Sequence, residues 1–262
     1  MNLRLEGPCI CGLLGRNGAG KTTLLNLMAG RTFATEGEIL LDGEPLPGND
    51  AALRRVYSMA ETNYFPENMC VYDVFNTLKM IYPEFDRDRA DELCGKFCIN
   101  EFRKNSELST GLSTALKLTA GLASGAPVLL LDEPTLGLDA NSRDLFYREL
   151  LAEYERKPKL ILLSTHLIGE AENLMERAVI FRSGRVLLDE SVERLLAGAY
   201  SVTGPAAAAD AYAGGKDAVG EDALGGLKTV YLRGVPDRKR LPPGLELGPV
   251  TLQKLFVELT DQ

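Results

Sequence analysis

An apolar run, a glycine-rich loop and a helix-forming run follow one another near the start of the chain. Cys9–Leu14 reads as a strand, Gly15–Gly20 holds three glycines, and Lys21–Ala29 reads as a helix. The loop spells Gly15-Arg16-Asn17-Gly18-Ala19-Gly20-Lys21-Thr22, a glycine, four residues, then Gly-Lys-Thr. Glycines let the backbone fold so that successive N–H groups point inward, and the helix that follows adds the positive end of its dipole. Such a cradle suits the phosphates of a nucleoside triphosphate. Lys21 reaches the β- and γ-phosphates, and the Thr22 hydroxyl is a ligand for Mg²⁺.

The remaining pattern is that of an α/β protein. Val56–Met59, Val128–Leu131, Leu160–Leu163 and Ala178–Phe181 are short apolar strands, and helical runs at Ala140–Tyr154 and Leu167–Met175 separate the last three. Apolar strands alternating with helices predict a mostly parallel sheet covered on both faces. Glu38–Leu41 predicts a further strand closed by Asp42-Gly43, and Gly184 a hairpin into Arg185–Leu188. Residues 62–122 read as a helical subdomain: Val71, Val74, Phe75 and Leu78 share a helix face, Asp86–Ile99 carries Leu93 and Phe97, and Ser113–Leu122 is a third helix. Beyond Ala197 the composition shifts. Ser201–Gly226 is rich in Ala and Gly without clear period, Thr229–Leu232 is strand-like, and Thr251–Leu259 places Leu252, Leu255, Phe256 and Leu259 on one helix face. The expected division is a domain over 1–197 and a small C-terminal appendage over 198–262.

Val128-Leu129-Leu130-Leu131-Asp132-Glu133 is a buried strand tipped by two carboxylates. Asp132 is placed to hold Mg²⁺ through water, and Glu133, one step further, to polarise an attacking water. In a parallel sheet the carboxyl ends of the strands meet at the ligand crevice, beside the phosphate loop.

Gly15–Thr22 followed by Leu131-Asp132-Glu133-Pro134-Thr135, Gly137-Leu138-Asp139 and Ser164-Thr165-His166 resembles the nucleotide-binding domain of ATP-binding cassette (ABC) transporters over about residues 5–195. The resemblance implies a P-loop NTPase that hydrolyses ATP with Mg²⁺. It implies that Gly15, Arg16, Asn17, Gly18, Ala19, Gly20, Lys21, Thr22 and Thr23 contact the nucleotide. Asp139 matches the aspartate loop that meets the other subunit, and His166 the switch histidine that senses the γ-phosphate. Glu61 stands where the family usually has a glutamine touching Mg²⁺ and the attacking water. The family's Leu-Ser-Gly-Gly-Gln signature is represented by Leu108-Ser109-Thr110-Gly111-Leu112: Ser109 and Gly111 are retained, while Thr110 and Leu112 replace a glycine and the glutamine.

A second departure lies before the phosphate loop. The family usually has a longer N-terminal segment there, with antiparallel strands and an aromatic stacked on adenine. Met1–Leu14 contains no Phe, Tyr or Trp, so the expectation is either a shortened cassette with these strands partly missing or a true start that lies upstream. Base–aromatic stacking contributes about 1–3 kcal/mol, so the adenine side would be weakened while the phosphate contacts remain. Pro249–Thr260 resembles the tails of bacterial exporter cassettes, which favours a bacterial subfamily encoded separately from its membrane subunit; at the level of the family, export of a drug-like or peptide substrate is the expectation.

No apolar run approaches the roughly 20 residues that span a bilayer. The implied partner is therefore a separate integral membrane permease subunit, with a second cassette making a homodimer or heterodimer. The expected location is cytoplasmic, on the inner face of the membrane. Tyr64, Phe65 and Tyr72 are read equally as permease contacts or as core. A formal net charge of −8, with only four Lys/Arg in its densest basic stretch (Arg233 to Arg240), argues against nucleic acid as a partner. The five cysteines read as reduced, buried thiols, because no second Cys or His pair accompanies Cys94 and Cys98 to hold a metal. Two other readings remain: a non-catalytic or regulatory cassette paired with a competent partner, and a soluble ABC ATPase unconnected with transport.

Overall fold

The computed structural model describes residues 1–237 and 241–260. In chain order the elements are β1 (Cys9–Gly15), α1 (Lys21–Met28), β2 (Leu40–Leu41), β3 (Glu44–Pro45), α2 (Asp50–Leu53), β4 (Val56–Met59), α3 (Val71–Ile81), α4 (Arg87–Lys96), α5 (Thr110–Ala123), β5 (Val128–Asp132), α6 (Ala140–Arg156), β6 (Leu160–Ser164), α7 (Ile168–Ala171), β7 (Arg177–Arg182) and β8 (Arg185–Ser191). They continue with α8 (Val192–Ala197), β9 (Ala199–Pro205), α9 (Ala206–Ala213), β10 (Ala218–Leu224), β11 (Leu227–Arg233), β12 (Glu246–Gly248) and α10 (Leu252–Thr260).

Among the described residues, six strands form one sheet in the order β4-β5-β6-β1-β7-β8. Every pairing is parallel except β7 with β8, the hairpin expected at Gly184. Parallel strands are buried on both faces, which is why their sequences are continuous apolar runs. Ile10, Leu14, Leu129, Leu131, Ile161 and Leu163 face the core shared with α3, α4, α5 and α6. Cys11, Leu13, Leu130 and Leu162 face the opposite core with Leu24 and Leu25 of α1. The helix face predicted for α3 is buried at Val71, Val74, Phe75 and Leu78.

Three local expectations shift. The strand expected over Glu38–Leu41 shrinks to β2, paired antiparallel with β3 across Asp42-Gly43. The helix expected over Leu167–Met175 divides into α7 and a 3-10 turn, Glu172–Leu174. Ser201–Gly226, read as weakly specified, is regular: β9, α9 and β10 belong to a four-stranded sheet ordered β10-β11-β9-β12. Helix α10 joins that sheet to the main body. Leu252 is fully buried in the main core, and its amide donates to Glu172 Oε2 at 3.0 Å.

The thiols also differ from expectation at Cys9 and Cys70, which are half-buried, and at Cys98. Cys11 and Cys94 are buried, and burial pushes each thiol up to about 12. Cys98 is exposed, in the left-handed turn that closes α4. Of the basic stretch, residues 238–240 lie outside the described residues.

Candidate functional site

The parallel sheet gathers the chemistry-bearing residues at its carboxyl edge. The phosphate loop leaves β1, Glu61 follows β4, Asp132 and Glu133 end β5, and His166 follows β6. These four strands are consecutive neighbours, so the loop, both carboxylates and the histidine share one rim.

At the loop, Gly18 and Gly20 take φ of +78° and +104°, backbone that a side chain would strain. Gly15 is required for a different reason: a Cβ there would lie 2.8 Å from the Phe181 carbonyl oxygen. Helix α1 starts without a side-chain cap and without an acidic residue in its first turn, leaving its positive end open. Lys21 is 7% exposed, and its ammonium donates to the carbonyl oxygens of Gly15 at 2.6 Å and Arg16 at 3.4 Å. Those carbonyls hold the charge over the loop. The β7–β8 turn braces the far side, with the Gly184 amide donating to the Ala19 carbonyl oxygen at 2.8 Å.

Asp132 is 4% exposed, and its Oδ1 is buried without a hydrogen-bond partner. The Oγ of Ser164, its register partner on β6, is in the same condition. Buried polar atoms are almost always paired, so two orphans at the rim of a cradle mark a place built for something further. A carboxylate oxygen in that condition fits a hard cation with oxygen ligands such as Mg²⁺. Thr22, at the start of α1, and Glu61, after β4, are both exposed.

Glu133 breaks the strand geometry. Its φ is +46°, uncommon for any residue but glycine, and its amide donates to the Ser164 carbonyl oxygen at 3.0 Å. Its Oε2 lies 2.7 Å from Nδ1 of His166 and 3.4 Å from the His166 amide. An ionised carboxylate only accepts, so Nδ1 carries the proton of that bond. The histidine thereby fixes where the Glu133 carboxylate points, while 55% of its own side chain stays exposed.

Ser109 and Asp139 stand at helix starts. Ser109 caps α5, its Oγ accepting from the Leu112 amide at 3.3 Å, which leaves its O–H free to donate outward. Asp139 caps α6 by accepting from the Ser142 amide at 2.7 Å, and that bond holds its carboxyl below the ordinary value. Both are exposed. Gly111 packs on the aspartate loop, where an added Cβ would lie 3.0 Å from the Gly137 carbonyl oxygen. Thr23 is exposed on the first turn of α1. Of the aromatic contacts considered, Tyr64 and Tyr72 are exposed beneath Arg31 and Arg87, whereas Phe65 packs on the core.

Sequence reasoning assigned no role to Lys117, a charged residue inside the buried run Thr114–Ala123 of α5. Its lone charge among apolar neighbours was the available signal. Burial pushes its ammonium below the ordinary lysine range, and it donates to the carbonyl oxygens of Ala60 at 2.9 Å and Glu61 at 2.7 Å.

Comparison with known proteins agrees with this geometry. The family model described as "ABC transporter" matches residues 1–136. The chain is 36% identical over 177 residues to the ABC transporter ATP-binding protein YtrB of Bacillus subtilis (strain 168), covering 68% of this chain and 61% of that one, so it spans less than two thirds of that relative. It is 32% identical over 207 residues to the lipopolysaccharide export system ATP-binding protein LptB of Haemophilus influenzae, covering 75% and 85%. Among solved structures, a dimeric post-hydrolysis ATP-binding cassette bound to ADP and Pi shares its fold, with a TM-score of 0.64 at 23% identity over 73% of this chain and 88% of that one. The chain therefore belongs to the ABC transporter family as one of its ATP-binding cassettes.

Proposed function

We propose that the chain hydrolyses ATP to power transport through a separate membrane permease, working as two cassettes closed head to tail on two nucleotides. The observation that carries this reading is the 2.7 Å contact of Glu133 with His166 on the same strand rim as the phosphate loop. The loop amides and Lys21 hold the phosphates, and Glu133, oriented by His166, takes a proton from water as its oxygen attacks the γ-phosphorus and the bond to ADP breaks. Ser109 of the partner subunit donates to the same γ-phosphate from the helix end facing it. Asp132, Thr22 and Glu61 would hold Mg²⁺, which supplies charge neutralisation of the phosphate oxygens. Catalysis here is positioning and charge stabilisation.

A permease partner agrees with the relatives and with the helices of the described residues, none of which is long and apolar enough to cross a membrane. Such an assembly would sit on the inner face of the membrane. Relatives include the lipopolysaccharide export protein named above and, at 32% identity, the taurine import ATP-binding protein TauB of Roseobacter denitrificans. We favour export, of a drug-like or peptide substrate, because of the exporter-like tail Pro249–Thr260. Phosphate release by the full chain, alone and with a candidate membrane permease in vesicles, tests the reading. Turnover stimulated by the permease and abolished in Glu133→Gln supports it. Unchanged turnover in that variant overturns it.

A regulatory cassette is a second reading, favoured by Thr110 and Leu112 in the signature. It predicts phosphate release only when a competent second cassette is added.

A further inference from the structure

Helix α5 does more than present Ser109. One stripe of it, at i, i+4 and i+8, holds the chain that leads from β4 to Glu61. At Ser113, Oγ accepts from Asn63 Nδ2 at 2.7 Å, and the same Nδ2 donates to Asn105 Oδ1 at 2.7 Å. At Lys117, the ammonium donates to the carbonyl oxygens of Ala60 and Glu61, and the Lys117 carbonyl oxygen accepts from the Tyr57 hydroxyl at 2.7 Å. At Gly121, the Tyr57 ring lies so close that an added Cβ would be 2.8 Å from Cε1. Three successive turns of one helix thus grip residues 57–63.

The lysine is the costly part of this grip. Lys117 is 7% exposed, and among the described residues its hydrogen bonds go to main-chain carbonyls rather than to a carboxylate. Burying an ammonium is expensive, and two carbonyls in a loop are ordinarily satisfied by water or by amides. A single charged donor reaching both carbonyls ties the Glu61 main chain to the helix at one point, with bonds stronger than neutral ones.

We propose that Lys117 is a positioning residue that locks the Glu61 segment to helix α5, so that Glu61 at one ATP site and Ser109, offered to the other site, move as a single body. This rests on the roles given above to Glu61 and Ser109. Closure of Ser109 onto the partner's nucleotide then carries Glu61 with it, and the two half-sites cannot be assembled independently.

The test uses the full chain with Lys117→Met, which keeps the length of the side chain and removes its donors. ATP affinity, set by the phosphate loop on β1, is expected within about twofold of wild type, while kcat falls about tenfold or more, the scale for a misplaced group. Amide hydrogen exchange of residues 60–63 is expected to rise without nucleotide. Wild-type kcat, wild-type exchange, or a loss of ATP affinity matching the loss of kcat overturns the proposal. If that variant does not fold, Asn63→Ala, at a half-buried position, decides by the same readouts. Glu61→Ala and Ser109→Ala serve as references. Wild-type turnover in both overturns the site assignment itself, whereas reduced turnover there with a wild-type Lys117→Met overturns the lock alone.

Discussion

Glu133 sits in left-handed backbone at φ +46°, and this strain separates stability from chemistry in a measurable way. Left-handed backbone costs an ordinary side chain about 1–2 kcal/mol, and asparagine is among the few residues that tolerate it. Glu133→Gln keeps the strain and keeps an oxygen for His166 Nδ1. Glu133→Asn relieves most of the strain but is one methylene too short for that contact. The lost bond involves a histidine whose side chain is 55% exposed, so water replaces it and the loss lies near the low end of about 0.5–1.5 kcal/mol. The Asn variant is therefore expected to be more stable than the Gln variant by about 1 kcal/mol, or roughly 2–4 °C in Tm for a chain of this size. Both lose the proton acceptor, so kcat falls by about 10²–10⁴ in each. At about 1.36 kcal/mol per tenfold, that is roughly 2.7–5.4 kcal/mol of transition-state stabilisation. Differential scanning fluorimetry and phosphate release measure the two quantities on the same samples. An Asn variant melting at or below the Gln variant refutes the strain argument, and turnover surviving in either refutes the role of the carboxylate.

Lys21→Ala removes charge-assisted bonds worth about 1.5–3 kcal/mol, so ATP affinity by calorimetric titration falls about tenfold or more. Glu153→Leu leaves Lys159, whose Nζ lies 2.7 Å from Glu153 Oε1, charged and buried without that partner. Denaturant unfolding should show a loss of about 3–5 kcal/mol, and a loss under about 1 kcal/mol would mean that the pair is not held dry. The Asp86 carboxyl is held below its ordinary value of 3.8 chiefly by the Arg89 amide and next by Arg156, so its contribution to stability is present above that value and disappears as pH falls through the lower folded value. Asp86→Asn, which keeps the cap on α4, should flatten the acid side of the stability curve below about pH 4, and an unaltered slope there rules Asp86 out as the cause.

The elements read most faithfully from sequence are those whose burial is one-sided or complete. Val56–Met59 is a strand with the expected ends, and Val128–Leu131 extends by one residue, because apolar runs of strand length have few alternatives in an α/β chain. Of the C-terminal sheet only Thr229–Leu232, within β11, was legible, and the rest was not, for physical reasons. Along β9, Tyr200 and Val202 face one core, but Ser201 between them is also buried, under the Pro249 carbonyl it bonds at 3.3 Å, so no alternation is written into the strand. Helix α9 is mostly alanine and buries Ala209 and Tyr212, too little apolar bulk to show a face. At the site, the loop and the Asp132-Glu133 pair were legible as motifs. The Glu133 dihedral and the orphaned oxygens of Asp132 and Ser164 depend on tertiary geometry, which no spacing encodes.

The altered signature is best understood together with the loop it touches. Thr110 occupies a position where the resembling family has glycine, and its Cγ2 stands 2.9 Å from where Gly137 would place a Cβ. Gly137, at φ +82°, is bare on that side, so the added methyl of one residue fills the space left by the other. One turn along α5, Thr114 Oγ1 donates to the Leu136 carbonyl oxygen at 2.9 Å. The start of α5 is thereby packed on the loop that ends in Asp139, and Asp139 in turn caps α6. The Cγ2 of Thr110 thus lies against Gly137 of its own chain, and Ser109 keeps its exposed hydroxyl. On the function proposed above, the substitution leaves the Ser109 hydroxyl in place, with α5 joined to the aspartate loop at one end as Lys117 joins it to the Glu61 main chain further along.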